Sequence, residues 1–460
     1  MTGAPRFPTS RRLSTAVAAG AIAAVALTSC AVTDILDITN ANADSATDAS
    51  TSFFDNSAVH EVDVEADAAE LDAALTAYAE DGSKEWVSAT VTIDGSVYEN
   101  VGLRLKGNSS LRGVDADAEP TALPWLIRLD KYVDGQQHAS RAEYVVRQNN
   151  TETSLNEALA LALVGEAGLE TEAAAAARFS VNGADAELRL VIDNPDDELW
   201  SEANFAGAGI TYEAESDGDY SYRGEDGTDY AEAFTPKAGG DDLAPVAGFL
   251  DFVNNSTDEE FSADLSEHLD VDAFATYLAV QDLVGNTDDI DGPGNNSYLR
   301  YDAATGLMKV VSWDMNLAFG GVSGRGGGPG EGTGPGPGGQ QGDASGGFEP
   351  PADGERTPPE GFELPQDSGD GAAGAGPGRG AAGPGGGSNP LVERFLADAA
   401  FAAAYAGAQE RLQEDLVESG AVERILSDWS GLLTAEAADL VDADTVAAEA
   451  EDIRQQLAEQ

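Results

Sequence analysis

The chain has 460 residues, with 83 Asp plus Glu against 24 Lys plus Arg and a formal charge of −59. So acidic a composition excludes a nucleic-acid binder that neutralises phosphates through a basic face. Its one cysteine excludes an intrachain disulfide and any zinc site built on two cysteines of one chain.

At the N-terminus, Arg6, Arg11 and Arg12 precede an apolar run over 13–27 that stops at Leu27-Thr28-Ser29-Cys30. This pattern predicts a lipoprotein signal peptide over 1–29 and a lipid on the Cys30 thiol. Arg11-Arg12 also resembles a twin-arginine signal, so either export route fits. Two or three acyl chains would hold the protein at the extracytoplasmic face of a bacterial cell membrane. Removing residues 1–29 takes away three Arg and no acid, which carries the charge from −59 to −62.

Residues 30–57, rich in Asp, Ala, Ser, Thr and Asn after the lipidated Cys30, read as a solvated tether. Folding should begin near Val59. Trp86 to Ile93, then Asp94-Gly95, then Val97 to Leu105 alternates like a hairpin with a tight turn. Further strands are predicted over 126–129 and 144–146. Ser154-Leu155-Asn156-Glu157 has capping-box spacing, and Leu155, Leu159, Ala162 and Leu163 continue a helix to about Gly165. Strand-like alternation returns over 178–193 around Asn182-Gly183. Val271 to Val284 reads as a buried helix, and Met308 to Trp313 as a strand.

Residues 322–388 hold 25 of the 53 Gly and 10 of the 19 Pro, a composition that predicts a disordered insertion. Asn389 as N-cap and Pro390 at the first helical position then open a helical section to the end. The sum is an α+β arrangement of two lobes. Its expected divisions are a strand-rich lobe over 58–205, a mainly helical lobe over 206–321, the insertion over 322–388, and C-terminal helices of the second lobe over 389–460.

Two constellations could carry chemistry. The first is the polar loop from Gly285 to Asn296, where Asp291 and Asn296 have the D-x4-N spacing of a carboxylate that accepts a hydroxyl proton and a carboxamide that binds metal. Asp314 follows at the end of the predicted strand 308–313, where it can hold Mg2+. An EF-hand register fails, because Gly292 at the sixth position would place Thr287 first and Tyr298 twelfth. An irregular Ca2+ site, or a plain acidic surface loop, fits the same residues. The second constellation is Gly102 to Gly113, where Arg104 and Lys106 share one strand face ahead of Gly107-Asn108-Ser109-Ser110, a set of donors suited to phosphate oxygens. Pairing of both cations with local carboxylates is the structural reading of the same residues. His60, His138 and His268 are scattered and read as surface or satisfied core residues.

Together these segments resemble the CotH kinase family of spore-coat protein kinase-like proteins. The resemblance runs through Val101 to Ser110, Pro124 to Tyr132, Asn286-Thr287-Asp288, Asn295 to Leu299, Ser312 to Gly320 and Asn389-Pro390-Leu391. It implies an atypical protein-kinase-like fold that transfers phosphate from ATP, with Mg2+ or Mn2+, to Ser or Thr of a surface or secreted protein. By position, Asp291 would be the catalytic Asp, Asp314 and Asn296 metal ligands, and Lys106 with Arg104 or Arg128 phosphate contacts. The chain departs from the family pattern at Leu123, where a Lys is usual, and over Glu187 to Asp193, in place of Gly-Leu-Tyr and a Glu. A noncatalytic envelope-binding module with the same fold is the alternative reading.

Overall fold

A computed structural model describes residues 53–291, 296–320 and 389–459 of the chain. The signal segment, Cys30, most of the tether and residues 321–388 lie outside these described residues.

Strand β1 (His60–Ala66) leads into helix α1 (Ala68–Asp81), which starts at Asp67, whose carboxylate accepts the N–H groups of Ala69 and Glu70. β2 (Val87–Ile93) and β3 (Ser96–Leu105) form the expected hairpin. Asp94 and Gly95 take φ of 47° and 80°, the left-handed pair that a two-residue hairpin turn requires. Then come β4 (Trp125–Arg128), β5 (Glu143–Val146), helix α2 (Leu155–Glu166), β6 (Ala174–Val181) and β7 (Glu187–Asp193). The last two strands turn at Asn182-Gly183, again both at positive φ.

These seven strands close into a barrel in the order β1-β2-β3-β4-β5-β7-β6. Closure comes from β6, which returns parallel to β1 and sets Phe179 beside Val62 and Val181 beside Val64. The barrel therefore has no free edge. Strand residues alternate between its two faces. Val62, Val91, Leu103, Leu105, Trp125, Ile127, Val146, Phe179 and Val191 fill the interior. The outward Leu126, Val145, Leu190 and Ile192 join a second core shared with α2 and everything that follows.

That second part begins with α3 (Glu198–Asn204), β8 (Gly209–Ala214) and β9 (Phe234–Ala238). Helices α4 (Ala244–Asn255), α5 (Asp258–Asp264) and α6 (Val271–Leu283) precede β10 (Ser297–Asp302) and β11 (Met308–Ser312). The four strands form an antiparallel sheet in the order β11-β10-β8-β9. Four helices complete the described chain: α7 (Pro390–Ala397), α8 (Ala399–Leu412), α9 (Ala421–Glu436) and α10 (Ala443–Glu459). Asn389 caps α7 as expected, accepting the N–H of Leu391 at 2.9 Å. No helix among the described residues is long and apolar enough to cross a membrane.

Two expectations need correction. The α+β content holds, but the strand-rich part is a closed seven-stranded barrel with a core of its own inside and a second core, shared with the helices, against its outer face, which is not an obvious two-lobed kinase-like arrangement. The capping box at Ser154 does not form either. Ser154 has φ 54° and makes no side-chain cap bond, and Glu157 is buried against Arg147 instead. Helix α2 is buried on all sides, including Asn156 and Glu157, so its first turn faces protein rather than water. The reciprocal box is found at α5, between Thr257 and Glu260.

On the outer face of β3, Gly102 leaves room for Trp86 and Lys131. A Cβ there would lie 2.6 Å from Lys131 Cγ and 2.9 Å from Trp86 Cε3. Gly102→Val is expected to destabilise the fold by about 1–3 kcal/mol through overpacking. Thermal melting followed by tryptophan fluorescence checks this; an unchanged midpoint would contradict the packing described.

Candidate functional site

The site lies where the barrel's outer face meets the four-stranded sheet. Arg104 and Lys106 leave β3 on that outer face, as their spacing predicts. Arg104 stacks on Trp86, with Cζ 4.5 Å from the ring centroid, and Lys131 Nζ lies at the same 4.5 Å from that centroid. Lys106 is more deeply placed. Its Nζ lies 3.5 Å from Asp196 and 3.8 Å from Glu213 on β8, and 5.2 Å from the ring centroid of Trp313.

Lys237 on β9 shares the same two acids, contacting Glu213 directly and Asp196 at 3.8 Å. Asp196 also accepts the hydroxyl of Tyr298 at 2.9 Å. Burial works against the Asp196 carboxylate, yet the charges of Lys106 and Lys237 together with these hydrogen bonds hold its pKa below the ordinary value. Lys84 adds a third amine. It donates to Gly107 O at 2.5 Å and Asn108 Oδ1 at 3.0 Å, pinning the turn that follows Lys106. Burial, then the charges of Lys106 and Arg104, lower the Lys84 pKa. Gly107 in that turn has φ 115°, a backbone conformation that L side chains rarely adopt.

Arg128 has different partners. It pairs with Asp130 at 2.8 Å and with Glu143 at 3.0 Å. Glu143 is buried and lies near enough to Asp196 to feel its charge, and both effects lift its pKa to about 7.

The acidic side is built on β11. Trp313 and Asp314 follow that strand directly, and Asp314 adopts φ 60°, a left-handed conformation that Asp tolerates better than most residues. Its Oδ1 accepts from Arg147, which follows β5. Arg147 Nε lies 2.9 Å from Glu157 Oε1, an ion-pair contact whose N–H is not aimed at the oxygen. The guanidinium is 5.9 Å from the Trp313 centroid. Trp313 thus has Lys106 and Arg147 within cation–π range, and Asp314 is its chain neighbour.

The loop after α6 is held to β11 by buried amides. Gln281 donates to Ser312 Oγ at 3.0 Å, Asn286 donates to Gln281 Oε1 at 2.9 Å, and Asp288 N–H donates to Asn286 Oδ1 at 3.3 Å. Further along, the Asp291 N–H donates to Asp289 at 3.0 Å, and Asn296 Nδ2 donates to the carbonyl of Asp288 at 2.8 Å. Burial raises the Asp288 pKa, the Asn296 side chain opposes this, and the charge of Asp314 raises it further. Asn296 and Asp314 therefore both bear on Asp288, a residue that the D-x4-N spacing did not single out. Residues 292–295, between Asp291 and Asn296, lie outside the described chain.

These donors fit a hard divalent cation. They are oxygens, the donor type that a hard cation takes, and among the described residues no group of three or more His, Cys, Asp or Glu gathers that could hold a metal ion. Arg147, Asp196, Lys237 and Lys84 also escaped the sequence pattern. The available signal was scarcity, since each cation is one of only 24 in the chain. Of the histidines, His60 and His138 are buried core residues, His60 bonded to Asp94 at 2.7 Å and His138 to Tyr98 at 2.8 Å.

An α+β protein with a cation cluster on a barrel strand and a carboxylate at a facing strand end defines the class. Residues 103–455 match the family described as CotH kinase protein, and the chain belongs to that family. No curated protein matches the chain.

Beside this site Glu172 is fully buried, and its Oε1 has no hydrogen-bond partner. Burial lifts its pKa to about 8. A carboxyl whose folded pKa exceeds its unfolded value stabilises the fold at low pH and loses that contribution as pH rises from about 4.5 through about 8. Glu172→Gln should therefore melt higher than wild type at pH 9, with the advantage shrinking toward pH 5. Melting curves across that range check it, and a pH-independent difference would contradict the burial of an ionising group.

Proposed function

We propose that the chain is a CotH-like kinase that transfers phosphate from ATP to Ser or Thr of a surface or secreted protein. The observation carrying this reading is that Lys106 from the barrel packs over the ring of Trp313, the residue directly before Asp314, in a chain of the CotH kinase protein family. The barrel with α2 takes the part of the strand-rich lobe, and the sheet with α3–α10 that of the helical lobe.

In this reading Lys106, with Arg104 and Arg128 at its margins, contacts the phosphates, and Lys84 fixes the Gly107 turn beside them. Asp314 and Asp288, with Asn296 bonded to the latter, would hold Mg2+ or Mn2+. The bound ion would offset negative charge on the transferring phosphoryl group. Asp291 orients the acceptor hydroxyl and takes its proton as the hydroxyl oxygen bonds to the γ-phosphorus. The bond from that phosphorus to the β-phosphate bridging oxygen breaks, and ADP leaves. Positioning and fixed charge supply the catalysis. The predicted lipoprotein signal peptide extends the reading to place: Cys30 would anchor the enzyme outside the membrane, where its acceptors would be exported proteins.

A second reading is favoured by one contact. Arg147 already occupies an oxygen of Asp314, as expected in a noncatalytic envelope module that uses the fold for binding.

The two separate on incubating the purified mature chain with labelled ATP, Mg2+ or Mn2+ and Ser-rich acceptors. Kinase activity predicts incorporation that falls about 100- to 10,000-fold in Asp291→Ala, the range for loss of a positioned base. Asp314→Asn should lose it as well. Label no higher in wild type than in either variant, for several acceptors, would favour the binding module.

A further inference from the structure

Asp314 is held by a neighbour outside its own turn. One guanidinium, Arg147, lies between two carboxylates, Asp314 and Glu157, with side-chain exposures of 11 % for Arg147, 3 % for Glu157 and 23 % for Asp314. So little solvent reaches the three groups that their charges are weakly screened. Their sum is −1, and how that charge is divided depends on which carboxylate draws the guanidinium closer. The first turn of α2 governs the division. Glu157 sits on that turn, and the adjacent Asn156 donates to the carbonyls of Asn316 at 2.7 Å and Ala318 at 3.3 Å. One helical turn therefore fixes both the backbone after Asp314 and the cation beside it. The turn is itself anchored from α10, where Glu449 accepts the N–H groups of Glu152 and Thr153 at 2.8 and 3.2 Å.

We propose that Glu157 and Arg147 are positioning residues that set how tightly Asp314 holds a divalent cation, with Glu157 offsetting the Arg147 charge that lies against the carboxylate. This rests on the phosphotransfer reading, since it takes Asp314 as the metal-binding residue. The charge balance gives opposite effects for the two partners. Without the Glu157 charge, Arg147 belongs wholly to Asp314 and the local sum is zero, so the cation is held less tightly. Without Arg147, two carboxylates stand together at −2 and the cation is held more tightly. A salt bridge with a purely structural role would lower the melting temperature in both variants and leave cation affinity unmoved.

The test uses Tb3+ as the probe, excited through tryptophan, on the full mature chain at physiological ionic strength. Exposed acids also bind Tb3+, so the site signal is the part lost in both Trp313→Phe and Asp314→Asn. Glu157→Gln is expected to weaken Tb3+ at this site at least about tenfold, and Arg147→Gln to tighten it by a similar factor, as follows from moving one unit charge in a poorly screened site. Glu157→Asp, which keeps the charge, should restore affinity toward wild type. If Arg147→Gln fails to melt cooperatively, loss in Glu157→Gln with rescue in Glu157→Asp carries the proposal, and absence of that rescue overturns it. Shifts in the same direction, or none, with a site signal present, overturn the proposal and leave the phosphotransfer reading standing. A wild-type signal unaffected by Asp314→Asn overturns both.

Discussion

The parallel pairing of β1 with β6 closes the barrel, and its interior is filled by apolar side chains from all seven strands. A polar side chain on β3, β4 or β5 can therefore leave only through the outer face, and along much of that face it meets the second core. That constraint sends Arg104, Lys106 and Arg147 toward the sheet and helices. Because a buried cation needs a partner, the facing elements supply Asp196, Glu213, Glu157 and Asp314, or an aromatic ring where no acid is in reach. The site is in this sense a product of barrel closure: the strands that shut out water on one side present their charges on the other.

The segment after β7 shows how tightly these charges are matched. Asp193 pairs with Arg141 at 2.8 Å, and Asn194 donates to Glu143 at 2.7 Å. Asp196 meets the lysines, and Asp197 accepts the N–H groups of Ala142 at 2.7 Å and Glu143 at 3.1 Å. Within five residues the chain leaves the barrel, turns into α3 and satisfies donors from β5, β9 and β10. In a protein with a large surplus of acids, these bases each sit among several carboxylates, and removing one partner would leave the other as an uncompensated buried charge.

What the sequence made legible was local. The Asp94-Gly95 and Asn182-Gly183 turns, the Asn389-Pro390 helix start and the apolar periodicity of α2 and α6 depend on neighbours within a few residues, and all appear as expected. Ser154-Leu155-Asn156-Glu157 and Thr257-Asp258-Glu259-Glu260 have the same spacing, yet only the second forms a capping box. The difference lies in Arg147, which no local pattern links to Glu157. In the site, Lys106 and Asp314 were legible as chemistry, but not the contact of Lys106 with Trp313, which is made across the fold. Asp288, Asp196 and Lys237 were hidden for the same reason: each owes its role to partners that only the folded chain supplies.

The bracing of the loop after α6 has a consequence for how the protein answers acid. Gln281, Asn286 and Ser312 align that loop with the end of β11, and none of them gains or loses a proton in the biological range. The opposite side is different, because Glu143, raised to about 7, takes up a proton there and leaves Arg128 and Asp196 in a changed balance. Mild acidity thus alters the electrical environment of the basic half, while the amide bracing of the loop after α6 carries no proton to exchange. Protonation of Glu143 acts on charge there and leaves that bracing in place.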